Sequence, residues 1–119
     1  MSCYKVSNEY GNIFIDSDAI AATAGLATME CYGVIGMASV SPASGIIKLL
    51  KREHFTKGIN IKMENNQVII DLHVIISYGI KIPVVAKNII SGVTYAVENS
   101  TGIKVKKVNL NIEGIKIKE

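Results

Sequence analysis

Between Gly58 and Gly79 apolar and polar residues alternate on both sides of the pair Asn65-Asn66. Two turn-forming residues flanked by alternation predict a β-hairpin. Pivoting on that pair sets Met63 against Val68, Ile61 against Ile70 and Ile59 against Leu72, all apolar. On the other face Lys62 meets Ile69 and Asn60 meets Asp71. A one-residue slip would mix the faces, so the register is well specified. The second strand outruns the first, so Val74 to Ser77 must pair elsewhere.

The same reading extends in both directions. Asn12 to Ile15 predicts a short strand after a Tyr10-Gly11 turn, and Ser17 is placed to cap a helix. In that helix Ile20, Ala24, Ala27 and Cys31 fall on one face. The face is rich in alanine and glycine, which lets a helix backbone lie close against a sheet. Gly33 suits the helix end, and Val34 to Val40 reads as a strand. Ser41-Pro42 then predicts a short helix carrying Ile46, Leu49 and Leu50.

After the hairpin, Pro83 suits a helix start. Val85, Ala86, Ile89, Val93, Ala96 and Val97 make an apolar stripe at helical spacing, and Gly102 ends it. Ile103 to Ile117 is a final strand. Its apolar parity changes at Lys106-Lys107 and again at Glu113-Gly114, and each change predicts a bulge. The order is β-α-β-(short α)-β-β-α-β. It predicts an α+β two-layer sandwich, with a mixed sheet of about five strands and two main helices on one face. Residues 1–119 read as a single domain.

Composition narrows the classes. The 119 residues are 49% hydrophobic with a net charge of +3, so the chain can bury a core and its charge does not demand an anionic partner. The start lacks the apolar region of a secretory signal, and no apolar run reaches the roughly 20 residues of a membrane span. The chain reads as soluble and cytoplasmic, with Cys3 and Cys31 as free thiols.

Candidate chemistry is sparse. Asp71 and His73 lie two apart on a strand, on the face away from the core, with Ile69 and Ile75. A catalytic dyad needs an orienting third group and a pocket. A flat sheet face supplies neither, so no catalytic residue is assigned. Cys3, Cys31, His54, Asp71 and His73 lack the paired spacing of zinc ligands. No metal and no cofactor is expected. Ile69, Asp71, His73 and Ile75 instead form a candidate protein interface. Lys48, Lys51 and Arg52, beside Ile46, Ile47, Leu49 and Leu50, form a candidate contact with an anionic surface. Gly33 to Gly36 spells the GxxG of KH-type nucleic-acid domains. It joins a helix to a strand and carries no basic residue, so nucleic acid is disfavoured.

Several segments together carry a family resemblance: GNIFI at the start, the Ala-rich helix ending in YGV, DLHVIISYG with its following IP, and TGIKVKKVNLNIEG near the end. From about Tyr10 to Ile117 the chain resembles the bacterial alkaline shock protein family, also called the envelope stress response family, and is most similar to its short YloU-like members. The resemblance implies a small cytosolic α+β protein without catalytic residues. It also implies self-association in some relatives and gathering at the membrane through an anchored partner. The expected function is that of a non-enzymatic scaffold or adaptor in envelope stress or membrane-lipid homeostasis, acting through protein–protein contacts with another protein or with itself. It would not insert into the membrane directly. The alternative is a KH-like nucleic-acid-binding regulator.

Overall fold

The computed structural model describes residues 3–40, 47–50 and 52–117. Strand β6 (Gln67–Ser77) is the centre of a five-stranded sheet. Strand β5 (Ile59–Glu64) pairs antiparallel with its first half, in the register predicted from the asparagine pivot. Asn65 and Asn66 both take positive φ, at 51° and 64°. Those are the angles of the turn whose twist matches a hairpin.

The second half of β6 pairs with β3 (Val34–Val40), which sets Val34 opposite Ile76 and Met37 opposite Val74. This is where the overhang of β6 finds its partner. Strand β4 (Ile47–Leu49) adds outside β3. The other edge of β6 takes β7 (Lys104–Lys116) in parallel. A parallel return needs a long crossover, and helix α2 (Ile82–Thr101) supplies it.

The two parity changes in β7 are register breaks. Val105 and Lys107 oppose consecutive β6 residues, as do Ile112 and Gly114, which leaves Lys106 and Glu113 as the extra residues. Each swings out to a partner: Lys106 Nζ pairs with Glu64 Oε1 at 2.9 Å, and Glu113 Oε1 lies within hydrogen-bond distance of His73 Nδ1, at 3.0 Å.

Helix α1 (Ser17–Met29) and α2 lie over one face of the sheet. Ile20 and Ala24 join Val85, Ile89, Val93 and Val97 above Val68, Ile70, Leu72, Val74 and Ile76 in one core. The small residues of α1 admit a neighbour, though it is not the sheet alone. A side chain at Gly25 would collide with the Phe55 ring and come within 2.9 Å of Ile59. Gly102 ends α2 in the left-handed conformation, φ 73°, and its N–H donates to the Glu98 carbonyl at 3.0 Å.

Three local expectations are corrected. The cap of α1 is Asp16, not Ser17. Its carboxylate accepts from the Asp18 N–H at 3.0 Å, and a carboxylate suits the positive end of a helix. A further strand, β1 (Cys3–Asn8), precedes β2 (Gly11–Asp16) and pairs with it as a separate hairpin. The predicted short helix is replaced by β4 at Ile47 and Leu49, and a 3-10 helix comes later, at Arg52–Gly58. β3 offers an unpaired edge, and three residues from Ile47 satisfy it as a strand. Ser41, Pro42 and Ile46 lie outside the described residues.

Candidate functional site

The outer face of the sheet holds the predicted Asp71 and His73. Side-by-side register on β6 and β7 sets Asp71 beside Asn109 and His73 beside Asn111. Asn109 Nδ2 donates to Asp71 Oδ1 at 2.6 Å, and Asn111 Nδ2 donates to the Leu72 carbonyl at 3.1 Å. His73 Nδ1 meets Glu113, and the two side chains are 26% and 21% exposed. Asp71 and His73 therefore each face a partner on β7, in a polar ladder across two strands. Among the described residues no three His, Cys, Asp or Glu side chains are grouped to hold a metal ion. A partly exposed pair of this kind contributes little. His73→Ala should lower stability by no more than about 1 kcal/mol in urea unfolding. A larger loss would mean that the ladder is structurally essential.

Ile75 departs from expectation. It lies on this outer face, yet it is only 3% exposed. Its neighbours in register are Gly36 on β3 and Gly114 on β7. Two glycines leave a slot in which the isoleucine sits. Leu49 of β4 lies where a side chain at Gly36 would begin, 3.1 Å from that point. The predicted interface of Ile69, Asp71, His73 and Ile75 thus has three half-buried members and one buried member, and Ile75 is not available to a partner.

The basic cluster is also rearranged. Lys48 belongs to β4 and Arg52 begins the 3-10 helix, so the two do not share one helix face. Lys51 and the side chains of Lys48 and Arg52 lie outside the described residues. Gly33, with φ 90°, turns the chain after α1, and Gly36 sits within β3 at a register break. The GxxG spelling is therefore a turn and a bulge, not a loop between two helices.

A different site emerges at the end of the sheet where β6 and β7 finish. Two Tyr-Gly turns meet there: Tyr32-Gly33 leads into β3, and Tyr78-Gly79 leads toward α2. Both glycines adopt left-handed angles, φ 90° and 87°. The turns are tied by backbone bonds, Ser77 N–H to the Gly33 carbonyl and Tyr78 N–H to the Lys116 carbonyl, each 2.8 Å. A side chain at Gly33 would come within 2.8 Å of Ile80, so the turns also pack directly.

The tyrosines themselves stay out of the core, with Tyr32 83% and Tyr78 73% exposed. Val84, Ile82, Ile115 and Ile117 add exposed apolar surface nearby, and Lys81 and Lys116 are exposed beside them. Two shallow clefts of about 230 and 260 Å³ share Tyr32 and Ile80 as lining. Cys31 lines the first as a free thiol. Burial, then the charge of Glu30, raises its pKa, and its Sγ–H donates to the Ala27 carbonyl at 3.3 Å. Such a thiol is held protonated and is a poor nucleophile. The YG dipeptide occurs three times, at Tyr10, Tyr32 and Tyr78, so by itself it does not mark this end. Only the fold shows that two turns 46 residues apart, Tyr32 and Tyr78, converge.

Among the described residues, no helix is long and apolar enough to cross a membrane. A family described as the alkaline shock protein 23 family, with a cell envelope-related function, matches residues 5–117. YloU of Bacillus subtilis (strain 168), described as uncharacterized, is 37% identical over 114 residues, covering 95% of each chain. Spy1614 of Streptococcus pyogenes, also described as uncharacterized, is 33% identical over 114 residues, covering 95% of this chain and 94% of that one. A longer Streptococcus pyogenes relative, a stress response regulator gls24 homologue, is 29% identical over 109 residues, which cover 92% of this chain and 61% of that protein. The family match spans both helices and the whole five-stranded sheet, so the chain belongs to the alkaline shock protein 23 family, whose function is related to the cell envelope.

Proposed function

We propose that the protein is a non-enzymatic adaptor of the cell envelope, which docks a protein partner on the end formed by the Tyr32-Gly33 and Tyr78-Gly79 turns. The observation that carries this reading is the convergence of Tyr32 and Tyr78, both exposed, on a rigid scaffold. Tyrosine combines a large apolar ring with a polar tip and few rotatable bonds, which is why it is enriched where partners bind. Backbone bonds and left-handed glycines hold both turns in place, so little order is lost on docking. Lys81 and Lys116 beside the apolar surface suit a partner with acidic groups at the rim. The family's envelope-related function supports a partner that sits at the membrane and brings this chain to it.

The test is localisation in the native host. A fluorescent fusion of the wild type should concentrate at the envelope. The double variant Tyr32→Ser, Tyr78→Ser should become diffuse while its thermal unfolding stays within about 3 °C, because exposed side chains contribute little to stability. Unchanged envelope localisation of the variant would overturn the reading.

A further inference from the structure

The opposite end of β6, roughly 35 Å away for a strand of this length, holds another cleft of different character. Its volume is about 290 Å³, and Lys5, Ser7, Asn66, Gly102 and Lys104 line it together with the apolar Met63 and Ile103. Three separate parts of the chain build it: β1, the β5–β6 turn and the α2–β7 junction. Lys5 and Ser7 are two apart on β1, so they share a face. Among the described residues no carboxylate lines the cleft.

We propose that this cleft binds a phosphate-bearing ligand, with Lys5 and Lys104 as its cations. Neither lysine has an ion-pair partner among the described residues. Two carboxylates close to the cleft in sequence, Glu64 and Glu98, are already engaged. Glu64 is bound by Lys106, whose hydrogen bond and charge hold its carboxyl below the usual range. The Glu98 carboxylate accepts from the Val105 N–H at 2.9 Å, and its carbonyl accepts from the Gly102 N–H at 3.0 Å. The carbonyl of Val97 is likewise taken, by the Thr101 hydroxyl at 2.6 Å. The negative end of α2 is thus largely satisfied within the protein, and the two ammonium groups are left to an outside anion. Asn66 brings an amide donor. The Ser7 hydroxyl bonds to Asn12 Oδ1 at 2.9 Å and keeps an oxygen facing outward for water or a ligand hydroxyl. Met63 and Ile103 provide an apolar wall for a small organic group beside the phosphate.

The source of the phosphate is decided by two probes on the full chain at low ionic strength, inorganic phosphate and vesicles of phosphatidylglycerol in phosphatidylcholine. Amide NMR shifts are followed at Ser7, Asn66, Gly102 and Lys104. Saturable shifts with phosphate alone assign a soluble ligand, and shifts or broadening confined to vesicles assign a lipid headgroup. In either arm Lys5→Gln and Lys104→Gln should each weaken binding about tenfold, the effect of losing a charge-assisted hydrogen bond. Lys104→Arg should retain it. Lys116→Gln, at the tyrosine end, should leave it unchanged. Absence of response to both probes overturns the proposal. So does an equal loss in Lys116→Gln, which would reduce the effect to net charge. The result is independent of the adaptor reading, whose test lies at the other end of the sheet.

Discussion

Ile75→Lys is expected to destabilise the protein by about 3–5 kcal/mol, as a lost buried aliphatic side chain combined with a charge placed where water cannot reach it. The strand pattern alone leads to the opposite expectation. Ile75 alternates with core residues, so it belongs to the outer face, where a lysine should be harmless. The structure buries it at 3% exposure between Gly36 and Gly114. A lysine there is flanked by paired strands on both sides and must bend its stem past packed neighbours to reach solvent. Ile69→Lys makes the comparison, because Ile69 lies on the same face and is half-buried. It should cost less than about 1 kcal/mol, the range for surface positions. Urea unfolding followed by circular dichroism reads both. Equal small effects would show that the slot around Ile75 is open in solution.

Ile70→Ala is expected to cost about 2–5 kcal/mol, the range for large-to-small changes in a core. Ile70 is fully buried, faces Ile61 across the hairpin and Val108 across the parallel pair, and lies beneath both helices' apolar residues. The cavity would open at the junction of three strands, where neighbours already paired on both sides cannot collapse into it. The midpoint of thermal unfolding should fall by about 10 °C or more. A loss below about 0.5 kcal/mol, typical of surface positions, would mean that the hairpin register is wrong by one residue.

Legibility followed the range of the forces involved. The hairpin register, both bulges of β7 and the apolar stripe of α2 depend on residues near one another in sequence. Each was written in alternation, in parity or in a spacing of three and four. The Asn65-Asn66 turn was legible because its left-handed angles tolerate few residue types. By contrast, Ile47 to Leu49 has no strong local preference. It became a strand because β3 presented an edge to satisfy. Cys3 to Asn8 likewise needed β2 as a partner before its short alternation meant anything.

The candidate sites divide in the same way. The sequence by itself determined that Asp71 and His73 share the face opposite the core, because strand periodicity allows nothing else. It could not reveal that Glu113, pushed out by a bulge, would take the histidine, or that Asn109 would take the aspartate. Nor could it reveal that Ile75 would be enclosed, since that depends on glycines from two other strands, Gly36 and Gly114, arriving on either side. The convergence of Tyr32 with Tyr78, and of Lys5 with Lys104, required the full chain to close. Local pattern decides which way a side chain points. Which distant side chain it meets is decided only when the strands pair and the helices pack, because those contacts join residues that no periodicity links.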